Sequence, residues 1–292
     1  MSTANSSVHL TSGYSMPLIG IGTFKIRDRD TIYQVLDESF RVGFRLIDTA
    51  EVYGNEAFIG IALRDLLPKY GLTRGDIFIT SKLSPSNNGY PKRINQAIQT
   101  TLRSLGTSYL DLYLIHWPGA AGIPEGSTQN TEFRKLTWDV LMQLQDRGII
   151  KSIGVSNYTI NHLSELMKNP GSVVPAVNQV ECHPHYRQQE LREFCNKANI
   201  HVQAYSSLGT TGGIGLLNDP IVNIIASEIG VTSAQLLLKW ALQQGIGVIP
   251  KATKKEHIIE NIQLDFMISD GHMNILSNLP QEKYTWNPEN VF

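Results

Sequence analysis

Short apolar runs rich in β-branched residues alternate along the chain with longer stretches whose apolar residues recur at helical spacing. Eight such runs occur: LIGIGT (18–23), FRLIDT (44–49), IFITSK (77–82), LDLYLIH (110–116), IKSIGVS (150–156), AVNQVE (176–181), IHVQAY (200–205) and GVIPK (247–251). Between them, Ile94, Ile98, Leu102 and Leu105 share one helix face, with Pro91 near the start and Gly106 just past the end, where helix termini favour these residues. A second helix reads Leu136, Val140, Leu141, Leu144 and stops at Gly148, and a third opens on Thr232 and Gln235, the spacing of a capping box. Strands this apolar, joined by helical crossovers, need cover on both faces and therefore predict a parallel sheet.

A parallel sheet of eight strand and helix units can be a closed barrel or an open doubly wound sheet. The open dinucleotide fold would place G-x-G-x-x-G after a strand, and the nearest candidate, Gly213 and Gly215, has Asn218 where the third glycine belongs. The reading is therefore an α/β fold, a (β/α)8 TIM barrel filling residues 1–292 as one domain, a length such barrels commonly reach. Two additions are expected: a hairpin in VHLTSGYSMPLIG before the first strand, and an extra helical segment over 219–229.

Composition narrows the partners. The 25 basic and 26 acidic side chains nearly cancel, so no global field favours nucleic acid or an anionic membrane, and a negative ligand needs a local site. Cys182 and Cys195 match neither a disulfide framework nor a zinc spacing and are read as buried thiols. The opening MSTANSSVHL has no apolar signal region, and no apolar run approaches the roughly 20 residues of a membrane span, so a cytoplasmic protein is expected.

In a barrel, chemistry gathers at the C-terminal ends of the strands. Here those ends are polar: Asp48, Lys82, His116, Ser156 with Asn157, Gln179, Tyr205 and Lys251. Each alone has an ordinary explanation, such as a helix cap for Asp48, a solvated turn for Lys82 or a packed imidazole beside Trp117 for His116. Together they converge on one mouth, where a carboxylate and a lysine at neighbouring strand ends can pair, and a buried lysine without a partner would be costly. Tyr53, five residues past Asp48, can fold back over that pair. An ammonium beside its oxygen would lower its pKa from about 10 toward the range of a general acid.

The phrases LIDTAEVYGNE, ITSKL, LDLYLIHWP, IGVSN, NQVECHP, AYSSLG and IPKATKKEHIIEN, in this order between Gly20 and Asn261, resemble the aldo-keto reductase family. The resemblance implies a monomeric or weakly oligomeric barrel, a monomer being expected here, that binds NADPH or NADP+ across its mouth and reduces a small carbonyl substrate, an aldehyde or ketone, without a metal. It implies Tyr53 as proton donor, Lys82 as the group that depresses its pKa, Asp48 as the partner of Lys82, and His116 as the donor that orients the carbonyl oxygen. It also implies cofactor contacts from Asp48, from Thr23 and Phe24 on the first strand, and from Ser156, Asn157 and Gln179 around the carboxamide. Tyr205 would stack on the nicotinamide. Ser206, Ser207 and Leu208 would open a glycine-rich clamp containing Gly209, Gly212, Gly213 and Gly215. Lys251, Ala252 and Thr253 would meet the adenosine phosphate, and Glu260 and Asn261 the adenine.

His257 stands where NADPH-using members often carry arginine, so NADH stays open as a second cofactor. Phe24, Val52, Tyr53, Ser84, His116 and Trp117 fall at substrate-facing positions, with GAAGIPEGSTQN and the tail YTWNPENVF as further walls and a broad carbonyl specificity implied. Two other functions compete with this one. Barrels of the family also serve as noncatalytic cofactor-binding regulatory subunits, and His183 and His185, with Asp48 and His116, suggest a metal-dependent barrel hydrolase.

Overall fold

The computed structural model describes residues 6–168, 171–210 and 215–292. The chain opens with the expected hairpin: β1 (Ser7–His9) and β2 (Ser15–Pro17) pair antiparallel, with Val8 opposite Met16. Eight parallel strands then follow the predicted runs: β3 (Ile21–Gly22), β4 (Leu46–Asp48), β5 (Phe78–Leu83), β6 (Leu110–Ile115), β7 (Ile150–Ser156), β8 (Val177–Glu181), β9 (His201–Tyr205) and β10 (Gly247–Val248). Each pairs with its neighbour in sequence. The last returns to the first: Val248 N–H donates to Leu18 O (2.8 Å), and Gly20 N–H and Gly22 N–H donate to Val248 O (2.9 Å) and Pro250 O (3.0 Å). These bonds close the sheet into a barrel, and they lie partly beyond the regular ladder, which leaves β3 and β10 shorter than their apolar runs. Gly22 sits at this seam, where a Cβ would lie 2.6 Å from Ile249 O. Only glycine lets the two strands approach so closely.

The crossovers are α1 (Arg29–Val42), α2 (Glu56–Lys69), α3 (Pro91–Leu105), α4 (Gln129–Asp146), α5 (Ile160–Met167), α6 (Gln189–Lys197), α8 (Ser233–Leu242) and α9 (Lys255–Ile262). The predicted additional helix is α7 (Pro220–Ile229), and α10 (Asp270–Ser277) precedes an extended tail. Local signals set several ends. Pro91 starts α3 and Gly106 ends it in the left-handed conformation, and Thr232 and Gln235 exchange the two capping-box bonds at α8 (3.2 and 3.0 Å). One expectation fails on α4, where Val140, Leu141 and Leu144 are buried but Leu136 is 43% exposed. At 3.6 residues per turn the buried positions Thr137, Trp138, Val140, Leu141 and Leu144 share one arc, and Leu136 lies roughly 120° from its middle, outside it. Cys182 and Cys195 are both buried and free, and burial pushes each thiol up to about 12. Among the described residues no single helix is long and apolar enough to cross a membrane.

Alternation along the strands sorts side chains into two cores. Ile47, Ile79, Tyr113, Ile115, Ile153 and Val155 pack outward with the helices. Leu46, Phe78, Leu112, Leu114, Val177 and Ile249 form a separate inner cluster with Leu10 and Met16 of the hairpin. This parity positions the site. With Ile47 and Ile79 outward, Leu46 and Asp48 on β4, and Phe78, Thr80 and Lys82 on β5, must point into the barrel.

Candidate active site

Asp48 and Thr80 are in register across β4 and β5, and Lys82 lies one inward step further along β5. Its side chain reaches sideways to Asp48: Nζ donates to Asp48 Oδ1 (2.6 Å), to Thr49 O (2.9 Å) and to Tyr53 Oη (3.3 Å). The three donor bonds use all three protons of the ammonium. Tyr53 reaches the pair because a single helical turn over Glu51–Tyr53 follows β4 and ends at Gly54 in the left-handed conformation. His116, just past β6, stands with its ring 5.8 Å from that of Tyr53, edge to face. The sequence-predicted quartet Asp48, Tyr53, Lys82 and His116 is thus brought together at the C-terminal end of the strands.

Electrostatics at this point correct one expectation. Burial raises the Tyr53 pKa above its ordinary value; the Lys82 ammonium pulls it down, but the Asp48 carboxylate opposes Lys82, and the net shift is upward. Lys82 does act as the expected depressor, through its charge and its hydrogen bond, but burial of the phenol, aided by Asp48, outweighs it. Burial also works against the Lys82 ammonium, yet Asp48 and Tyr53 hold its pKa above the ordinary lysine value. For His116, burial and then the nearby Lys82 charge lower the pKa to about 3, so the imidazole is neutral. Its Nδ1 is buried and has no hydrogen-bond partner among the described residues.

Around the quartet, Gln179 Nε2 donates to Asp48 Oδ2 and to Gln203 Oε1, both at 2.8 Å. Ser156 Oγ donates to Gln179 O (2.8 Å), and Asn157 Nδ2 donates to His116 O (3.0 Å) and Ser156 Oγ (3.1 Å). The Tyr205 hydroxyl donates to Asn157 Oδ1 (2.6 Å). Asn157 and Ser206 both have positive φ, 65° and 51°, so the chain turns sharply after β7 and after β9. Asparagine tolerates that conformation, whereas serine adopts it at a cost typical of functional loops. Ser207 Oγ returns to Ala204 O (3.2 Å), and Leu208 packs against the outer core. Of the glycines in this loop, Gly212 and Gly213 lie outside the described residues.

On the first strand's side, Thr23 is buried and donates through Oγ1 to Asp48 O (2.9 Å), while Phe24 is exposed and packs on Tyr53 with ring centroids 5.1 Å apart. Val52 is exposed beside them. Exposed apolar side chains gathered around one polar centre mark a binding mouth. Trp117 is half-buried, and Ser84 is buried, with its N–H bonded to Glu51 Oε2 (2.9 Å) and its Oγ 2.7 Å from Ser86 Oγ. After β10, Lys251 and Thr253 are exposed and Ala252 is buried; on α9 His257 is exposed, Glu260 half-buried and Asn261 buried. No side chain caps the first turn of α9.

Several residues at the site were not assigned from sequence. Thr49 contributes its carbonyl to Lys82, Gln203 holds Gln179, and Glu181 stands at the rim, where it meets Thr285 of the tail expected as a wall. Glu181 lies two residues beyond Gln179 on the same face of β8, so the alternation that points to Gln179 points to it as well. His183 and His185 have other partners than each other or Asp48: His183 Nε2 lies 3.0 Å from Glu181 Oε1 and stacks on Tyr284, and His185 contacts the Tyr284 hydroxyl (2.5 Å) and Asp219 (3.0 Å).

A closed eight-stranded barrel with an Asp, Tyr, Lys and His cluster at its mouth defines a class of barrel oxidoreductases. The chain belongs to the Aldo/keto reductase family, whose model matches residues 18–279. It is 38% identical over 282 residues to an aldo/keto reductase of Synechocystis, covering 90% of this chain and 85% of that one. It is 36% identical over 278 residues to glyoxal reductase of Bacillus subtilis, covering 95% and 94%. Its structure matches that of an aldo-keto reductase from a Medee basin deep-sea metagenome library with a TM-score of 0.88 at 33% identity, over 98% of this chain and 100% of that one. The protein is accordingly an oxidoreductase of a carbonyl-reducing family that works with a nicotinamide cofactor.

Proposed function

We propose that the protein reduces aldehydes or ketones with NADPH, Tyr53 donating the proton. The observation that carries this reading is the Lys82 ammonium, shared between Asp48 Oδ1, Thr49 O and the Tyr53 hydroxyl at the barrel mouth. When bound, the cofactor supplies a hydride to the carbonyl carbon. The upward shift of the Tyr53 pKa keeps its proton in place until negative charge grows on the carbonyl oxygen. Once that proton moves, Lys82 stands beside the phenolate and stabilises it, while Asp48 keeps the ammonium from being an isolated buried charge. His116, neutral and facing Tyr53, can donate a hydrogen bond to the same oxygen without adding a charge of its own.

The residues present fit a nicotinamide dinucleotide. Gln179 uses its amide nitrogen on Asp48 and Gln203, and no described residue donates to its Oε1, which leaves that atom for a carboxamide N–H. Tyr205 is tethered through its hydroxyl with the ring half-exposed, a suitable platform for stacking. The N-cap residue of α9, Lys254, makes no side-chain cap, and Lys251 and Lys254 stand exposed at this end of the helix, a setting that suits the additional phosphate by which NADPH differs from NADH.

The deciding experiment is Tyr53→Phe assayed with a generic aldehyde. Turnover should fall roughly 100- to 10,000-fold while NADPH affinity stays near wild type, because only the proton donor is removed. Wild-type turnover in that variant would refute the mechanism. An inert wild type that still binds NADPH would favour the noncatalytic subunit.

A further inference from the structure

Glu181, the last residue of β8, is wholly buried and receives four donors from three consecutive residues of the tail. Tyr284 N–H reaches Oε1 (2.6 Å), Thr285 N–H reaches Oε2 (3.0 Å), Lys283 Nζ reaches Oε2 (3.1 Å), and the Thr285 hydroxyl donates to Oε2 as well. His183 Nε2 supplies a fifth contact (3.0 Å), and its ring stacks on Tyr284 at 4.9 Å. These bonds hold the carboxyl pKa down, at about 2, despite burial.

The clasped segment touches the site on two sides. Thr285 Oγ1 lies 3.0 Å from the Tyr205 hydroxyl, which is bonded to Asn157, which in turn is bonded to His116 O. On the other side Trp286, 62% exposed, meets Phe24 edge to face at 6.4 Å, and Phe24 packs on Tyr53. Beyond Trp286 the tail is fastened again, by His162 Nε2 at Val291 O (2.8 Å) and Arg134 Nη1 at Phe292 O (2.8 Å). A cavity of about 730 Å3 borders the same segment, lined by Asn157, Glu181, Tyr186, Lys283 and Glu289 among others. Packing therefore supports this stretch only in part, and its position depends on polar anchors.

We infer that Glu181 is a positioning residue for carbonyl reduction: its carboxylate clasps Lys283–Thr285 and so holds Trp286 against Phe24 as the outer wall for the bulky part of the substrate. The inference rests on the proposed function, since a carbonyl oxygen at Tyr53 places larger substituents first against Phe24 and then against Trp286. A two-ring aromatic aldehyde would use that wall, and a three-carbon aldehyde would hardly reach it.

The test compares 2-naphthaldehyde with propanal in Glu181→Gln, Trp286→Ala and the double variant, with NADPH. Glutamine keeps the volume of Glu181 but presents an NH2 group to the tail's own N–H donors. Each single variant should raise KM for 2-naphthaldehyde by roughly 2- to 10-fold, the range of one aromatic contact, with a smaller change for propanal and kcat largely retained. The double variant should lose little more than either single one, because the two substitutions remove the same wall. Additive losses, or a folded Glu181→Gln with wild-type KM values for both aldehydes, would overturn the inference. If Glu181→Gln fails to fold, Lys283→Met with Thr285→Val removes the side-chain donors from the tail's end and should give the same shift in KM; no shift there overturns it equally.

A readout without turnover separates this inference from the function on which it rests. Trypsin followed by mass spectrometry should find the Lys283 bond resistant in the wild type and cut in Glu181→Gln. Equal resistance would refute the clasp even in an active enzyme, whereas a wild type inert toward every carbonyl would refute the proposed function and leave the cleavage result to judge the clasp alone.

Discussion

Lys82 Nζ lies 2.6 Å from Asp48 Oδ1 with both side chains shut away from solvent, at 0% and 3% exposure. Neither charge has water to fall back on, so each depends on the other. Lys82→Met should cost roughly 3–5 kcal/mol by stranding the Asp48 carboxylate, visible as a lower midpoint in urea. Adding Asp48→Asn should recover much of that stability and none of the activity, because the buried charge is gone but so is the ammonium beside Tyr53. Stability of Lys82→Met equal to wild type would show that the pair is not needed to hold the fold.

The pH profile of reduction follows from two shifts of opposite sense. His116 is held neutral down to about pH 3, and Tyr53 stays protonated to above its ordinary value. Neither group titrates between about pH 5 and 8, where an ordinary histidine would. The expected outcome is a kcat/KM for aldehyde reduction that is flat over that range. An inflection near 6.5 that disappears in His116→Gln would show that the imidazole changes charge in the working enzyme.

Cofactor discrimination should reside after β10. Lys251→Ala should weaken NADPH binding by at least several-fold and leave NADH nearly unaffected, since only NADPH carries the additional phosphate; losing a single rim charge corresponds to roughly 1 kcal/mol. His257→Arg should tighten NADPH, because a guanidinium can grip phosphate through two parallel bonds. Fluorescence titration with both cofactors checks this. Unchanged NADPH affinity in the arginine variant would place His257 outside the cofactor site.

Much of this architecture was legible in the sequence because it is encoded locally. The apolar runs, the caps at Pro91, Gly106 and Thr232, and the period of two along each strand all involve residues a few positions apart. Once alternation is granted, Asp48, Lys82, His116 and Gln179 must end their strands on one side of the sheet, and the pairing of Asp48 with Lys82 follows from the cost of leaving either unpaired. Leu136 misled for a related reason, since a spacing of four keeps a residue near a helix face without saying where that face is centred.

The tertiary structure decided what depends on distant parts of the chain and on exclusion of water. Closure between Leu18 and Val248 turns a row of strand ends into a ring. The direction of the Tyr53 shift depends on how dry the mouth is and on how fully Asp48 neutralises Lys82, and neither can be read from spacing. The bonds from Glu181 to Lys283, Tyr284 and Thr285 span 102 to 104 residues, and no periodicity in the sequence couples positions so far apart. Local patterns thus determined which residues reach the mouth, and long-range packing determined their charge states and what holds the wall beside them.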